Sequence, residues 1–203
     1  MEVIGPSVGS GATLLGTGRT IEMTQRTHAT TGYDPDQTPD STLKQLIALI
    51  LFVGIPQAVG FLGSMLTSDQ TDGWYAEADK AAWTPPDAVF GPVWTVLYLL
   101  MGVGAWLLWR RRHSVNATPA LALFVGQLVL NSIWSPLFFG GYPIFGTAAL
   151  WAAMVLIAVL IVAIALTIWR FWPISRLGAY LLLPYLAWTL YASTLNFYIA
   201  LMN

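Results

Sequence analysis

Two stripes of residues in this chain have side chains that could do chemistry. Gln127, Asn131, Trp134, Ser135 and Phe138 recur at spacings of three and four, so a helix sets them on one face. Tyr185, Trp188, Ala192 and Asn196 repeat the pattern nearer the C-terminus. Trp74, Trp83 and Trp94 lie at the entrance of an apolar run that ends at Trp109. The working groups are therefore amide, hydroxyl and indole. Amides and hydroxyls exchange hydrogen bonds, and an indole offers a broad flat face with one N–H donor. Such a set suits a large, flat, apolar ligand, because stacking on aromatic faces adds to area burial. The same stripes also suit interhelical hydrogen bonding alone, at about 0.6 kcal/mol per contact in membranes.

The missing residue types narrow the chemistry further. No Asp, Glu, Lys, Arg or His falls inside the apolar runs. Proton relays and ion-coupled pumps need such residues, and so does acid–base catalysis. With no cysteine, thiol catalysis, disulfides and Cys-ligated metals are excluded. His113 sits in a basic loop and His28 in the N-terminal tail, so no metal site is expected. Met101 could offer a thioether, but in an apolar helix it reads as packing. A net charge of −1 leaves no electrostatic footprint for nucleic acid.

The elements that must hold these residues are membrane helices. Of 203 residues, 56% are hydrophobic and 9% charged, against about 25% charged in a soluble domain. Residues 46–68, 88–109, 114–169 and 177–202 contain no charge. The run 114–169 is too long for one span, and Gly140-Gly141-Tyr142-Pro143 divides it. The expected fold is all-α and integral to the membrane, a five-transmembrane-helix bundle with spans near 44–66, 89–109, 119–139, 144–169 and 177–202. Each is close to the roughly 20 residues that cross a bilayer. Residues 1–41, rich in Gly, Thr and Ser, read as an unstructured tail, within which Met23 offers an alternative start. Residues 42–203 form the membrane domain.

Basic residues favour the cytoplasmic side of short loops. Lys44, the run Arg110-Arg111-Arg112, and the pair Arg170 and Arg176 fall on one side of a five-span chain. Asp69, Asp72, Glu77, Asp79 and Asp87 fall on the other. This places the N-terminus in the cytoplasm and the C-terminus outside. Trp94, Trp134 and Trp188 then lie in the outer half, beneath the loop that carries Trp74 and Trp83. Trp106, Trp109, Trp169 and Trp172 lie at the inner boundary, where an aromatic belt explains them. Gly60 and Ser64, Gly102 and Ala105, and the pairs Ala148-Ala149 and Ala152-Ala153 suit close helix contacts, within the bundle or across a homodimer. Pro56 and Pro184 fall inside spans and are expected to kink or loosen them.

Three ordered motifs resemble the TspO/MBR family of tryptophan-rich sensory and translocator proteins. The first runs from Trp74-Tyr75 through Trp83-Thr84-Pro85-Pro86 and Phe90-Gly91-Pro92-Val93-Trp94-Thr95 to Leu97-Tyr98 and Met101-Gly102. The second joins Gln127-Leu128, Leu130-Asn131 and Trp134-Ser135-Pro136, and the third joins Leu183-Pro184-Tyr185-Leu186-Ala187-Trp188, Ala192 and Leu195-Asn196. The resemblance covers residues 43 to 203. It implies a dimeric five-helix bundle in a prokaryotic cell membrane, with an outward pocket that binds protoporphyrin IX or haem as a ligand and requires no cofactor. It also implies roles in porphyrin sensing, sequestration or transport. Trp74, Trp83, Trp94, Tyr98, Gln127, Asn131, Trp134, Trp188, Ala192 and Asn196 are the candidate ligand-binding residues. Trp94 and Trp188 would be catalytic only if the protein degrades porphyrin in light, an alternative that stands beside passive translocation of hydrophobic molecules. Two departures bear on this. The loop reads Lys80-Ala81-Ala82-Trp83 where the family has Lys-Pro-x-Trp, and no Lys or Arg follows Tyr198, so high-affinity cholesterol binding through that motif is not expected.

Overall fold

The computed structural model describes residues 41–203. The expectations for the tail, including His28 and Met23, lie outside the described residues. Among those described there are seven α-helices, one π-helical turn and no strand. α1 spans Thr42–Thr71, and the Ser41 hydroxyl caps it by accepting from the Lys44 N–H at 3.3 Å. It outruns the expected end because its last polar residues bond locally. Thr67 donates to the Gly63 carbonyl and Thr71 to the Ser68 carbonyl. A short α2, Trp74–Glu77, follows, and Pro85-Pro86 then leads into α3, Asp87–Trp109. α4, Thr118–Ser135, carries Pro in its first turn, where a missing N–H costs nothing, and runs straight into the π-helical turn Pro136–Gly140. α5, Tyr142–Phe145, is a single turn. Gly146 then adopts φ +59°, a value that L side chains rarely take, and releases the chain into α6, Thr147–Phe171. α7, Arg176–Met202, is capped by the Ser175 hydroxyl, which accepts from the Gly178 N–H at 3.2 Å.

The five long helices close a ring. α1 packs on α3, α3 on α7, α7 on α6, α6 on α4, and α4 returns to α1. α1, α3, α4 with its π turn, and α6 are long and apolar enough to cross a membrane. α7 is equally long, but Tyr180, Pro184, Tyr185, Trp188, Tyr191 and Asn196 dilute its apolar character. That is the cost of placing a polar aromatic stripe on a helix. Large apolar side chains cover the exterior, from Ile50, Phe61 and Leu66 on α1 to Val155, Val162 and Leu166 on α6. A water-facing surface does not carry such a continuous apolar coat, whereas lipid contact accommodates it.

Glycines set two of the helix contacts. Gly102 closes onto the Phe52 carbonyl, which Pro56 has left without its usual i+4 donor, and a Cβ there would stand 2.5 Å from that oxygen. Gly104 and Gly178 face each other across α3 and α7, where an added Cβ would meet the other's carbonyl oxygen at 2.9 and 2.8 Å. Ala105, Ala149 and Ala153 are buried as the small-residue pattern implies, but Ser64, Ala148 and Ala152 are exposed. Helical structure continues through both Pro56 and Pro184.

Candidate functional site

The candidate residues other than Gln127 gather in two neighbouring clusters, one near the middle of the bundle and one at the end that holds α2. The first joins α3, α4 and α7. Trp94 stacks on Tyr98 with centroids 5.3 Å apart and meets the edge of Tyr185 at 6.1 Å. The Tyr98 hydroxyl donates to Asn131 Oδ1 at 2.8 Å, and Asn131 Nδ2 donates to the Tyr185 hydroxyl at 3.1 Å. This chain ties three helices through one buried amide. Gly60 of α1 makes room for it, since a side chain there would run into the Tyr98 ring. Trp188 lies one turn along α7 from Tyr185, edge-on to Phe90 at 5.8 Å and against Tyr191 at 5.5 Å.

The second cluster joins α2, the π turn and the end of α7. Trp134 donates its indole N–H to Asn196 Oδ1 at 3.2 Å and stacks on Phe138 at 5.0 Å. Asn196 in turn donates to the Leu150 carbonyl at 3.1 Å. Trp74 donates to the Phe139 carbonyl at 2.9 Å and stacks on Tyr142 at 4.0 Å. The π turn is what delivers Phe138 and Phe139 to these rings. Beside them Tyr75 is buried, and burial together with the nearby Asp87 charge pushes its hydroxyl up to about 12, so it stays neutral. Sequence reasoning did not find Tyr142 or Phe139, because neither belongs to a helical stripe.

Trp83 and Ala192 sit at the edge of the first cluster. Trp83 is 52% exposed, and its indole reaches the Thr194 hydroxyl at 3.3 Å and Tyr198 edge-on at 5.6 Å. The Tyr191 hydroxyl donates to the Trp83 carbonyl at 2.6 Å, which pins the loop to α7. Asn203 continues that seam, exchanging hydrogen bonds with the Asp79 backbone at 3.0 and 3.3 Å. Ala192 is half-buried one turn beyond Trp188.

Most polar atoms of the site are thus spent on the protein itself. Two residues are different. The Trp188 indole N–H and both amide atoms of Gln127 are buried with no hydrogen-bond partner. Enclosed donors and acceptors left unpaired cost about 1–3 kcal/mol each. An ordered water or a bound molecule can complete such groups. Among the described residues no three His, Cys, Asp or Glu side chains stand close enough to hold a metal. Two cavities, of about 600 and 420 Å³, open at the other end of the bundle, around Arg110 and Trp172, and none of the candidate residues lines them.

Comparison with known proteins places these features in context. A sequence profile described as the TspO/MBR family matches residues 52–202. The chain is 42% identical over 160 residues to the tryptophan-rich protein TspO of Archaeoglobus fulgidus, covering 78% of this chain and 97% of that one. It is 38% identical over 148 residues to the human translocator protein, covering 72% and 84%. The tryptophan-rich sensory protein of Cereibacter sphaeroides is 32% identical over 148 residues, covering 73% and 86%.

Proposed function

The chain belongs to the TspO/MBR family of integral membrane proteins, and from that premise we propose that it spans the membrane five times and binds a tetrapyrrole on the Trp94–Trp188 face. α7 serves as the fifth span, its polar stripe turned to the ring interior. The ligand is a flat porphyrin such as protoporphyrin IX or haem, and the protein senses, sequesters or transports it. The observation that carries this reading is the buried Trp188 N–H without an acceptor beside a Trp94–Tyr98 stack. A porphyrin supplies an aromatic plane for the stack and carboxylate oxygens for unpaired donors. The loop between α1 and α3 covers this end, held by the contacts of Trp83 and Asn203, so ligand entry requires that seam to part. A homodimer and an outer location for this end complete the proposal.

One observation favours a second activity. Trp94, Tyr98 and Tyr185 form a continuous aromatic path inside the bundle, and such rings can exchange single electrons with an excited porphyrin. Titration of protoporphyrin IX in air-saturated buffer, in the dark and under illumination, separates the two readings, because a net loss of porphyrin requires dioxygen as the oxidant. Binding leaves the ligand spectrum recoverable on extraction. Degradation consumes it in the light, and the loss falls sharply in Trp94→Phe and Trp188→Phe.

A further inference from the structure

We infer that the cleft between the end of α3 and the start of α7 binds the phosphate headgroup of an anionic phospholipid, with an acyl chain lying in the groove beside it. The larger cavity, about 600 Å³, is lined by Arg110, Arg111 and Arg176 together with Leu107, Trp172 and Leu177. Three arginines therefore border one opening, with the Arg110 guanidinium over the Trp106 ring at 4.9 Å. Every acidic side chain among the described residues lies in 69–87, at the opposite end of the bundle. Among the described residues no carboxylate lies at the arginine end, and a phosphate diester matches the guanidinium fork. The backbone adds to this, because the Arg176 and Leu177 N–H groups belong to the first turn of α7 and have no intrahelical acceptor.

The neighbouring groove decides between a lipid and a free phosphate. It measures about 420 Å³ and is lined by Ala165, Ile168 and Trp169 of α6, Trp172 just past its end, and Leu186 of α7. The α6 residues are spaced to share one face, and all five are apolar. Trp172 borders both spaces, edge-on to Tyr180 at 5.1 Å. An amphipathic indole between a cationic cleft and an apolar groove sits where a headgroup meets its chains. Inorganic phosphate fills only the first space, whereas a phospholipid fills both. The inference needs only the membrane placement of the chain and is independent of what binds at the Trp94–Trp188 face.

The test uses the full chain in nanodiscs of phosphatidylcholine doped with phosphatidylglycerol, followed by native mass spectrometry of lipids retained after detergent extraction. Phosphatidylglycerol should be retained in preference to phosphatidylcholine. Arg111→Gln and Arg176→Gln should each reduce that preference about tenfold, as expected for a lost charge-assisted hydrogen bond. Arg112→Gln removes the same charge from a guanidinium stacked on Trp109 and should change it by about twofold at most. Ala165→Phe fills the groove without altering charge, so it should lower retention even if an arginine variant does not fold. Equal losses for Arg112→Gln and Arg111→Gln would reduce the effect to surface charge and overturn the inference. Displacement of the lipid by soluble glycerol 1-phosphate, or by protoporphyrin IX, would overturn it too, assigning the cleft to a free phosphate or to the porphyrin.

Discussion

Trp188 and Trp134 carry the same side chain in opposite states. The Trp134 N–H is bonded to Asn196, while the Trp188 N–H is enclosed with no acceptor. Replacing each by Phe should therefore separate a structural tryptophan from one held ready for a ligand. Without ligand, Trp134→Phe should lose about 1 kcal/mol of stability in detergent, because Asn196 gives up a partner. Trp188→Phe should be neutral or slightly stabilising, since it removes an unpaired buried donor. With protoporphyrin present the order reverses, and Trp188→Phe and Trp94→Phe should each weaken binding by roughly 1 kcal/mol. Thermal melting with and without ligand reads both quantities. Trp169, which is 64% exposed with Arg170 over its ring, should show neither effect when changed to Phe. If Trp94→Phe and Trp188→Phe bind protoporphyrin as Trp169→Phe does, these indoles serve packing alone.

At the scale of elements, the α3–α7 contact is sensitive to a single atom. Gly104→Ala puts a methyl group 2.9 Å from the Gly178 carbonyl oxygen, a backbone atom that cannot turn aside. Melting should report a loss of about 1–3 kcal/mol, the usual cost of overpacking. Gly126→Ala, which meets nothing within 4 Å, should cost nothing by the same assay. The long helices were largely legible in the sequence because uncharged runs of span length leave few alternatives. Their ends were less so. The run 144–169 emerged as α6, Thr147–Phe171, because Tyr142–Phe145 forms its own turn and Gly146 takes a positive φ. The π turn after Ser135 was also hidden, since spacing alone does not separate i+4 from i+5 bonding. The stripes of α4 and α7 were readable as faces. Their partners were not, because periodicity says which residues share a side and nothing about what meets them. Thus Asn131 is spent on Tyr98 and Tyr185, and Trp74 on Phe139 and Tyr142.

For the whole molecule, charge divides between the two ends. Among the described residues the acidic side chains lie in 69–87, around α2, and Arg110, Arg111 and Arg176 line the opposite cavity. On the positive-inside bias we propose that the arginine end faces the cytoplasm. The chain has no cysteine, so Ser114→Cys and Ala78→Cys give a clean labelling pair. On intact cells an impermeant maleimide should label position 78 and spare 114. The reverse pattern would invert the topology and with it the side from which a ligand enters. The central claim, a porphyrin face built from indole and amide without an axial metal ligand, is tested most directly by quenching of tryptophan fluorescence in the purified protein. Protoporphyrin IX and haem, titrated in parallel in the dark, should both quench saturably, with affinities within about tenfold of each other, because iron gains no strong protein ligand there. Quenching that fails to saturate, or a thousandfold preference for haem with a six-coordinate low-spin spectrum, would contradict it.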